Sequence, residues 1–247
     1  MRAFIEIIGT EFKCFTRNFL NMFFVLAFPA LLLILFGEIY GNKPSSLFNG
    51  QGTIDASVPA YIGMIITVTG IMSLPLALSS YREKKILKRF KATPMSPFHI
   101  LTSQIIVNLF MTVIGVAILI LIAKLKYDLK FNGDVIAVVL VVLLSIFCIF
   151  SIGFLIASVV NGTKAANAVA NLVYFPMLFL TGATIPLETM PDSIKNISKF
   201  LPLTHSIKVL KGAWQGKNLS DYGSDIMILI AVTIICSILS IKFFRWD

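Results

Sequence analysis

Few residues in this chain have the type and spacing that covalent chemistry needs. The two histidines, His99 and His205, stand in separate stretches, and neither belongs to an HExxH pattern. No GxSxG motif and no carboxylate pair within an apolar run occurs, which leaves a serine nucleophile or an intramembrane protease without support. Cys14, Cys148 and Cys236 lie far apart, with no CxxC pair and no Cys/His cluster, so neither a zinc site nor a disulfide framework is expected. Cys148 and Cys236 fall inside apolar runs, where cysteine acts as a small hydrophobe. The segment Gly212-Ala213-Trp214-Gln215-Gly216-Lys217-Asn218 mimics a phosphate-binding loop. It fails twice: three residues rather than four separate the glycines, and Asn218 replaces the Ser or Thr that holds magnesium.

The bulk of the chain explains this scarcity. Of 247 residues, 57% are hydrophobic and 13% charged, and the mean hydropathy is +0.89. A soluble domain carries about 25% charge, and a core of this length could not hide so much apolar side chain. The composition excludes a soluble enzyme, a disordered tail and a fibre. It specifies an all-α polytopic membrane protein, one integral membrane domain over residues 1–247, with no room for a sizeable soluble domain beside it.

A bilayer core of about 30 Å requires about 20 apolar residues per helix. Six runs meet this: Phe19–Tyr40, Val58–Ser80, Phe98–Ala123, Val135–Val160, Ala165–Pro186 and Ile226–Phe244. The fifth is the least regular, with Pro176 inside it and Asn167, Asn171, Thr181 and Thr184 along it. Six spans put both termini on one side, and basic residues fix which side. The N-terminus, Tyr81–Pro97, Asn161–Lys164 and the C-terminus together hold twelve basic and four acidic residues; the opposite segments hold nine and eight. The first set is therefore cytoplasmic. The net charge of +9 is a topological signal rather than a nucleic-acid surface.

Residues 1–18 predict an amphipathic helix lying in the interface, with Phe4, Ile5, Ile8, Phe12 and Phe15 on one face and Arg2, Glu6, Lys13 and Arg17 on the other. No cleavable signal peptide is expected ahead of the first span. In the cytoplasmic loop 81–97, Arg82 to Phe90 reads as a helix that presents Ile86, Leu87 and Phe90 on one side and ends before Pro94. Six basic residues fall between Arg82 and Lys91. The external stretch Leu187–Tyr222 is too apolar for a solvated loop and is punctuated by Pro191 and Pro202; it predicts two short helices at the outer leaflet, with Trp214 and Tyr222 suited to the interface. Ionisable residues are almost absent from the span interiors, which argues against a self-energised, proton-coupled carrier.

Four features recur in a known order: the N-terminal amphipathic helix, the charged loop running from Tyr81-Arg82-Glu83 to Ala92-Thr93-Pro94-Met95-Ser96-Pro97, the segment Thr181-Gly182-Ala183-Thr184-Ile185-Pro186, and Phe200-Leu201-Pro202-Leu203-Thr204 followed by Gly212-Ala213-Trp214. On a six-span frame they resemble the ABC-2-type permeases, the membrane subunits of ATP-binding-cassette exporters, and most of all their short drug- and antibiotic-resistance members. The resemblance implies a non-catalytic half-transporter. Two permeases, copies or paralogues, would sit in membrane lipid on two cytoplasmic ABC ATPase subunits, which bind the ATP and magnesium; this chain would bind no cofactor or metal. Arg82, Glu83, Ile86, Leu87, Phe90, Thr93 and Pro94 would couple to the ATPase. The cargo path would run between the permeases past Thr67, Ser73, Asn167, Asn171, Tyr174 and Phe179, and Gly182, Pro186, Pro191 and Pro202 would shape a re-entrant external hairpin. Sparse charge in the spans suits a hydrophobic or amphipathic cargo: a drug, an antibiotic, a lipid or an amphipathic peptide. A polysaccharide or teichoic-acid exporter is the alternative within the family. A six-span substrate-binding subunit of a vitamin importer is the alternative from another class, but it would lack the long charged loop.

Overall fold

The computed structural model describes residues 2–43, 50, 52–86, 97–184, 187 and 190–244, and the regular elements among them are helices. α1 (Arg2–Arg17) leads to α2 (Phe19–Tyr40) and α3 (Thr53–Glu83). They are followed by α4 (Pro97–Tyr127), α5 (Val135–Val159) and α6 (Thr163–Leu180). α7 (Asp192–Ser198) and α8 (Pro202–Trp214) are short, and a 3₁₀ turn at Leu219–Tyr222 opens into α9 (Gly223–Phe243).

Proline shapes the first two long helices. Each contains a π-helical turn, Phe23–Ala27 in α2 and Val68–Ser73 in α3, and each turn lies just ahead of a proline, Pro29 and Pro75. Proline has no N–H, and its ring crowds the carbonyl four residues back. Widening the turn relieves the crowding, so Phe28 N–H bonds the Phe23 carbonyl and Leu74 N–H bonds that of Thr69, each five residues back.

Small and hydroxylic residues then set the spacing between helices, since lipid gives apolar faces no reason to prefer one another. Gly70 of α3 and Gly153 of α5 approach so closely that a Cβ on Gly153 would overlap the Gly70 carbonyl. Thr69 and Thr112 join α3 to α4 through their hydroxyls at 2.9 Å, and Ser158 and Ser240 join α5 to α9 at 2.9 Å. α3 is the central helix: from Thr53 to Thr67 nearly every side chain is buried.

Contacts sort the chain into two ends. At one end Phe4 of α1 meets His99, Arg82 reaches Val160 and Phe244, and Glu83 reaches Thr163. At the other, Glu38 pairs with Lys126 at 2.7 Å, Asn42 bonds Asp55 and the Tyr127 carbonyl, and Gly133 packs on Ala213 and Trp214.

Among the described residues, five helices are long and apolar enough to cross a membrane: Phe19–Tyr40, Thr53–Glu83, His99–Tyr127, Val135–Val159 and Leu219–Phe243. The molecule is a multi-pass membrane protein. The second expected span, Val58–Ser80, is thus the middle of a longer helix. The expected fifth, Ala165–Pro186, is the 18-residue α6, which Lys164, Asn167 and Asn171 make less apolar than the others; Pro186 lies outside the described residues. α6 nevertheless runs the full depth of the bundle. It starts against Glu83 at one end, and Gly182–Thr184 beyond its last turn pack beside Ala56, Ala60 and Tyr61 at the other.

The two short helices expected between 187 and 222 are α7 and α8, but they differ in burial. Ile197 and Phe200 are exposed, whereas α8 buries ten of its thirteen residues. Leu203 and Ile207 sit over Gly63 of α3, so α8 is part of the core rather than a surface helix.

Candidate functional site

The expected coupling segment begins inside α3. Arg82 and Glu83 form its last turn, and a turn at Lys84–Lys85, with Lys85 at φ 54°, separates them from Ile86. The continuous helix expected from Arg82 to Phe90 is therefore broken. No glycine marks that break, and nothing else in the local sequence signals a left-handed residue. Ile86 is half-buried; Leu87, Phe90, Thr93 and Pro94 lie outside the described residues.

Glu83 ties this turn to α6. Its carboxylate accepts from the Thr163 N–H at 2.9 Å and the Thr163 hydroxyl at 2.7 Å. The N-cap residue of α6 itself, Gly162 at φ 84°, offers no side-chain oxygen. A residue eighty positions away thus caps the helix and sets a negative charge at its positive end. The neighbouring Arg82 is buried, donates to the Val160 carbonyl at 3.2 Å and holds its guanidinium 5.3 Å from the Phe244 ring centre. The loop, α5, α6 and the start of the C-terminal tail meet at this one point.

Beside it, α1 packs on α4: Phe4 against His99 and Phe12 against Phe110, while Phe15 is buried and Ile5, expected on the same stripe, is exposed. Glu11 lies between the helices, 8% exposed, and accepts from the Tyr81 hydroxyl and the Gln104 amide. Burial pushes its carboxyl above the usual range, against the pull of those two hydrogen bonds. A cavity of about 400 Å³ opens here, with Asn18, Asn21, Ser73, Ser80 and Tyr81 on its walls.

From Glu11 a buried polar ladder climbs α4. Asn108 donates to the Gln104 carbonyl at 2.9 Å, Thr112 to the Asn108 carbonyl at 2.8 Å, and Thr112 meets Thr69 beside the α3 π-turn. Sequence reasoning missed Glu11, Gln104, Asn108 and Thr112. The available signal was three polar residues four apart within an apolar run, which places them on one helix face.

The expected path residues are not gathered in one cavity of this chain. Thr67 is buried and bonds the Gly63 carbonyl at 2.7 Å; Ser73 is buried and accepts from Asn21 at 3.2 Å. Asn171 donates to Asn167 on its own helix at 3.1 Å, so this pair does not bridge helices. Tyr174 is buried, and its hydroxyl has no partner among the described residues. Phe179 is half exposed and stacks on Phe175 along the outer face of α6. Of the expected hairpin residues, Gly182 has φ 83° just past α6, Pro191 is the N-cap of α7, and Pro202 opens α8.

α8 is pinned to α9 by a cluster the sequence did not announce. Asp225, 4% exposed, receives Lys208 at 2.8 Å and faces His205 Nδ1 at 2.7 Å, and His205 Nε2 reaches the Lys199 carbonyl at 2.9 Å. The chain distance of twenty residues hid this pairing.

Residues 2–213 match the family model described as ABC-2 type transporter. The chain is 25% identical over 182 residues to the inner membrane transport permease YhhJ of Escherichia coli, covering 70% of this chain and 49% of that one. It is 22% identical over 170 residues to the probable multidrug ABC transporter permease YbhR of E. coli, covering 69% and 45%. It is 26% identical over 171 residues to ABC transporter G family member 20 of Dictyostelium discoideum, covering 68% of this chain and 22% of that protein. The matched region thus spans about half the length, or less, of these relatives. A match running from the second residue to Ala213 takes in the amphipathic helix, the charged loop, α7 and nearly all of α8, and the chain belongs to the ABC-2 type transporter family.

Proposed function

We propose that this chain is the permease subunit of an ATP-binding-cassette exporter, moving a hydrophobic or amphipathic compound out of the cytoplasm or inner leaflet. α6 is its sixth span: 18 residues rise about 27 Å, close to a hydrocarbon core of about 30 Å. The Arg82 end is cytoplasmic, by the basic residues of loop 81–97; α1 lies at that interface, and the α7–α8 segment forms the re-entrant hairpin outside. A separate ABC ATPase binds ATP and magnesium and docks on loop 81–97. A second permease, copy or paralogue, faces the exposed strip of α6 that carries Asn167 and Phe179, and the cargo path runs between the two. The multidrug name of one relative supports the cargo class. The stacked Phe175 and Phe179 give the polysaccharide-exporter alternative its support.

One observation carries this reading. The carboxylate of Glu83 caps α6, so a displacement of the end of α3 is passed directly to the start of α6. The test is Leu87→Ala with Phe90→Ala at matched membrane levels. Truncating buried anchors costs about 2 kcal/mol or more, roughly a 30-fold loss of affinity. ATPase co-purification and ATP-dependent transport should both fall, while Lys85→Arg should change neither. Full capture and transport by the double variant would reject the coupling role.

A further inference from the structure

Between α4 and α5, away from the coupling end, runs a groove of about 560 Å³ walled by Leu109, Val116 and Ala117 on one side and Val139 and Val142 on the other. It extends along α4 from Leu109 to Lys124, about 22 Å at 1.5 Å per residue. One leaflet with its headgroups measures about 20–22 Å. The groove's apolar walls and leaflet-long run suit an acyl chain.

Its wide end is chemically different. Lys124 lines it, exposed, with no hydrogen bond or ion pair among the described residues. Phe131 and Trp214 close it, their rings edge to face at 4.8 Å. Trp214 is 5% exposed, and its indole N–H has no acceptor among the described residues. An apolar channel one leaflet long thus ends in a cation and an unmet donor. We infer that this groove is a binding site for one anionic phospholipid, with an acyl chain between α4 and α5 and the phosphate at Lys124. The inference needs only that the chain spans a membrane and does not rest on the direction of transport.

The test uses the full chain with Trp246→Phe, so that Trp214 is the sole tryptophan, in phosphatidylcholine nanodiscs doped with bromine-labelled phosphatidylglycerol. A bound labelled chain quenches Trp214. Quenching should saturate with phosphatidylglycerol fraction, and should require about fivefold more labelled phosphatidylcholine to match. Lys124→Gln should abolish that preference. Ala117→Phe should fill the groove and remove the saturable part, while Ile235→Phe, on the exposed face of α9, should leave it unchanged. Millimolar inorganic phosphate should not displace the lipid. Quenching that rises linearly and equally in all variants would reduce the site to ordinary bilayer contact and overturn the inference. Displacement of the lipid by micromolar rhodamine 6G would assign the groove to cargo instead and would also overturn it.

Discussion

Gly153→Ala is the smallest change that should loosen the bundle. The π register of α3 would bond the Gly70 carbonyl to the N–H five residues on, but that residue is Pro75, which has none. The carbonyl instead faces Gly153 of α5. A methyl group there would lie well inside the roughly 3.3 Å that carbon and carbonyl oxygen require, so the helices must part by more than about 1 Å. Neither side can yield cheaply. The obstacle is backbone, and a Cβ at Gly70 would already be 2.8 Å from Ile149 and Phe150. Overpacking a tight core costs about 1–3 kcal/mol, and this site belongs at the upper end. For a chain of this size about 3 kcal/mol corresponds to roughly 6–12 °C in apparent melting temperature. Gly9→Ala is the matched control: it sits on α1 with nothing within 4 Å of the added methyl, and should be neutral or stabilising by up to about 1 kcal/mol. The assay is thermal unfolding of both purified variants in one detergent. Gly153→Ala melting within 2 °C of the parent (less than the roughly 2–4 °C that even 1 kcal/mol would give) would refute the close-contact reasoning.

Two further perturbations probe the polar clusters. Burial raises the Glu11 carboxyl pKa, so the native state holds its proton to higher pH than the unfolded chain, and the contribution of this group to stability falls as pH rises from about 4.5 through the folded value. Glu11→Gln should flatten that dependence in melts between pH 5 and pH 8; an unchanged slope would show that Glu11 is not its source. Asp225→Asn should cost about 2 kcal/mol, less than a fully buried pair because Lys208 is 58% exposed, and Lys208→Ala should cost under about 1 kcal/mol. Melts giving the reverse order would mean that Lys208, and not the buried carboxylate, holds α8 on α9.

Much of this architecture was legible because the bilayer imposes it. The bounds of α2 and α5 follow from apolar runs that end at turn residues. The short helices α7 and α8 announced themselves through Pro191 and Pro202, but the burial of α8 did not. α8 alternates small, polar and apolar residues, and only Gly63 on α3 makes room for it. The π-turns were present in the sequence as Pro29 and Pro75, which mark where a helix must adjust without saying how. Long-range pairs were illegible. Glu11 finds Gln104, Glu83 finds Thr163 and Asp225 finds His205 only after the helices have packed, and no local pattern encodes such a choice. Composition likewise names the polar residues in spans, Thr67 and Ser73 among them, but not the direction each one faces.

Reconstitution into lipid vesicles tests transport by an ATP-driven pair most directly. The chain is purified alone and with the ABC ATPase that co-purifies from its own membranes, and uptake of rhodamine 6G into inside-out vesicles is followed with and without ATP. Uptake should require both ATP and the ATPase, and should vanish when Leu87 and Phe90 are alanine. ATP hydrolysis by the chain alone, or uptake driven by a proton gradient with no ATPase present, would contradict it.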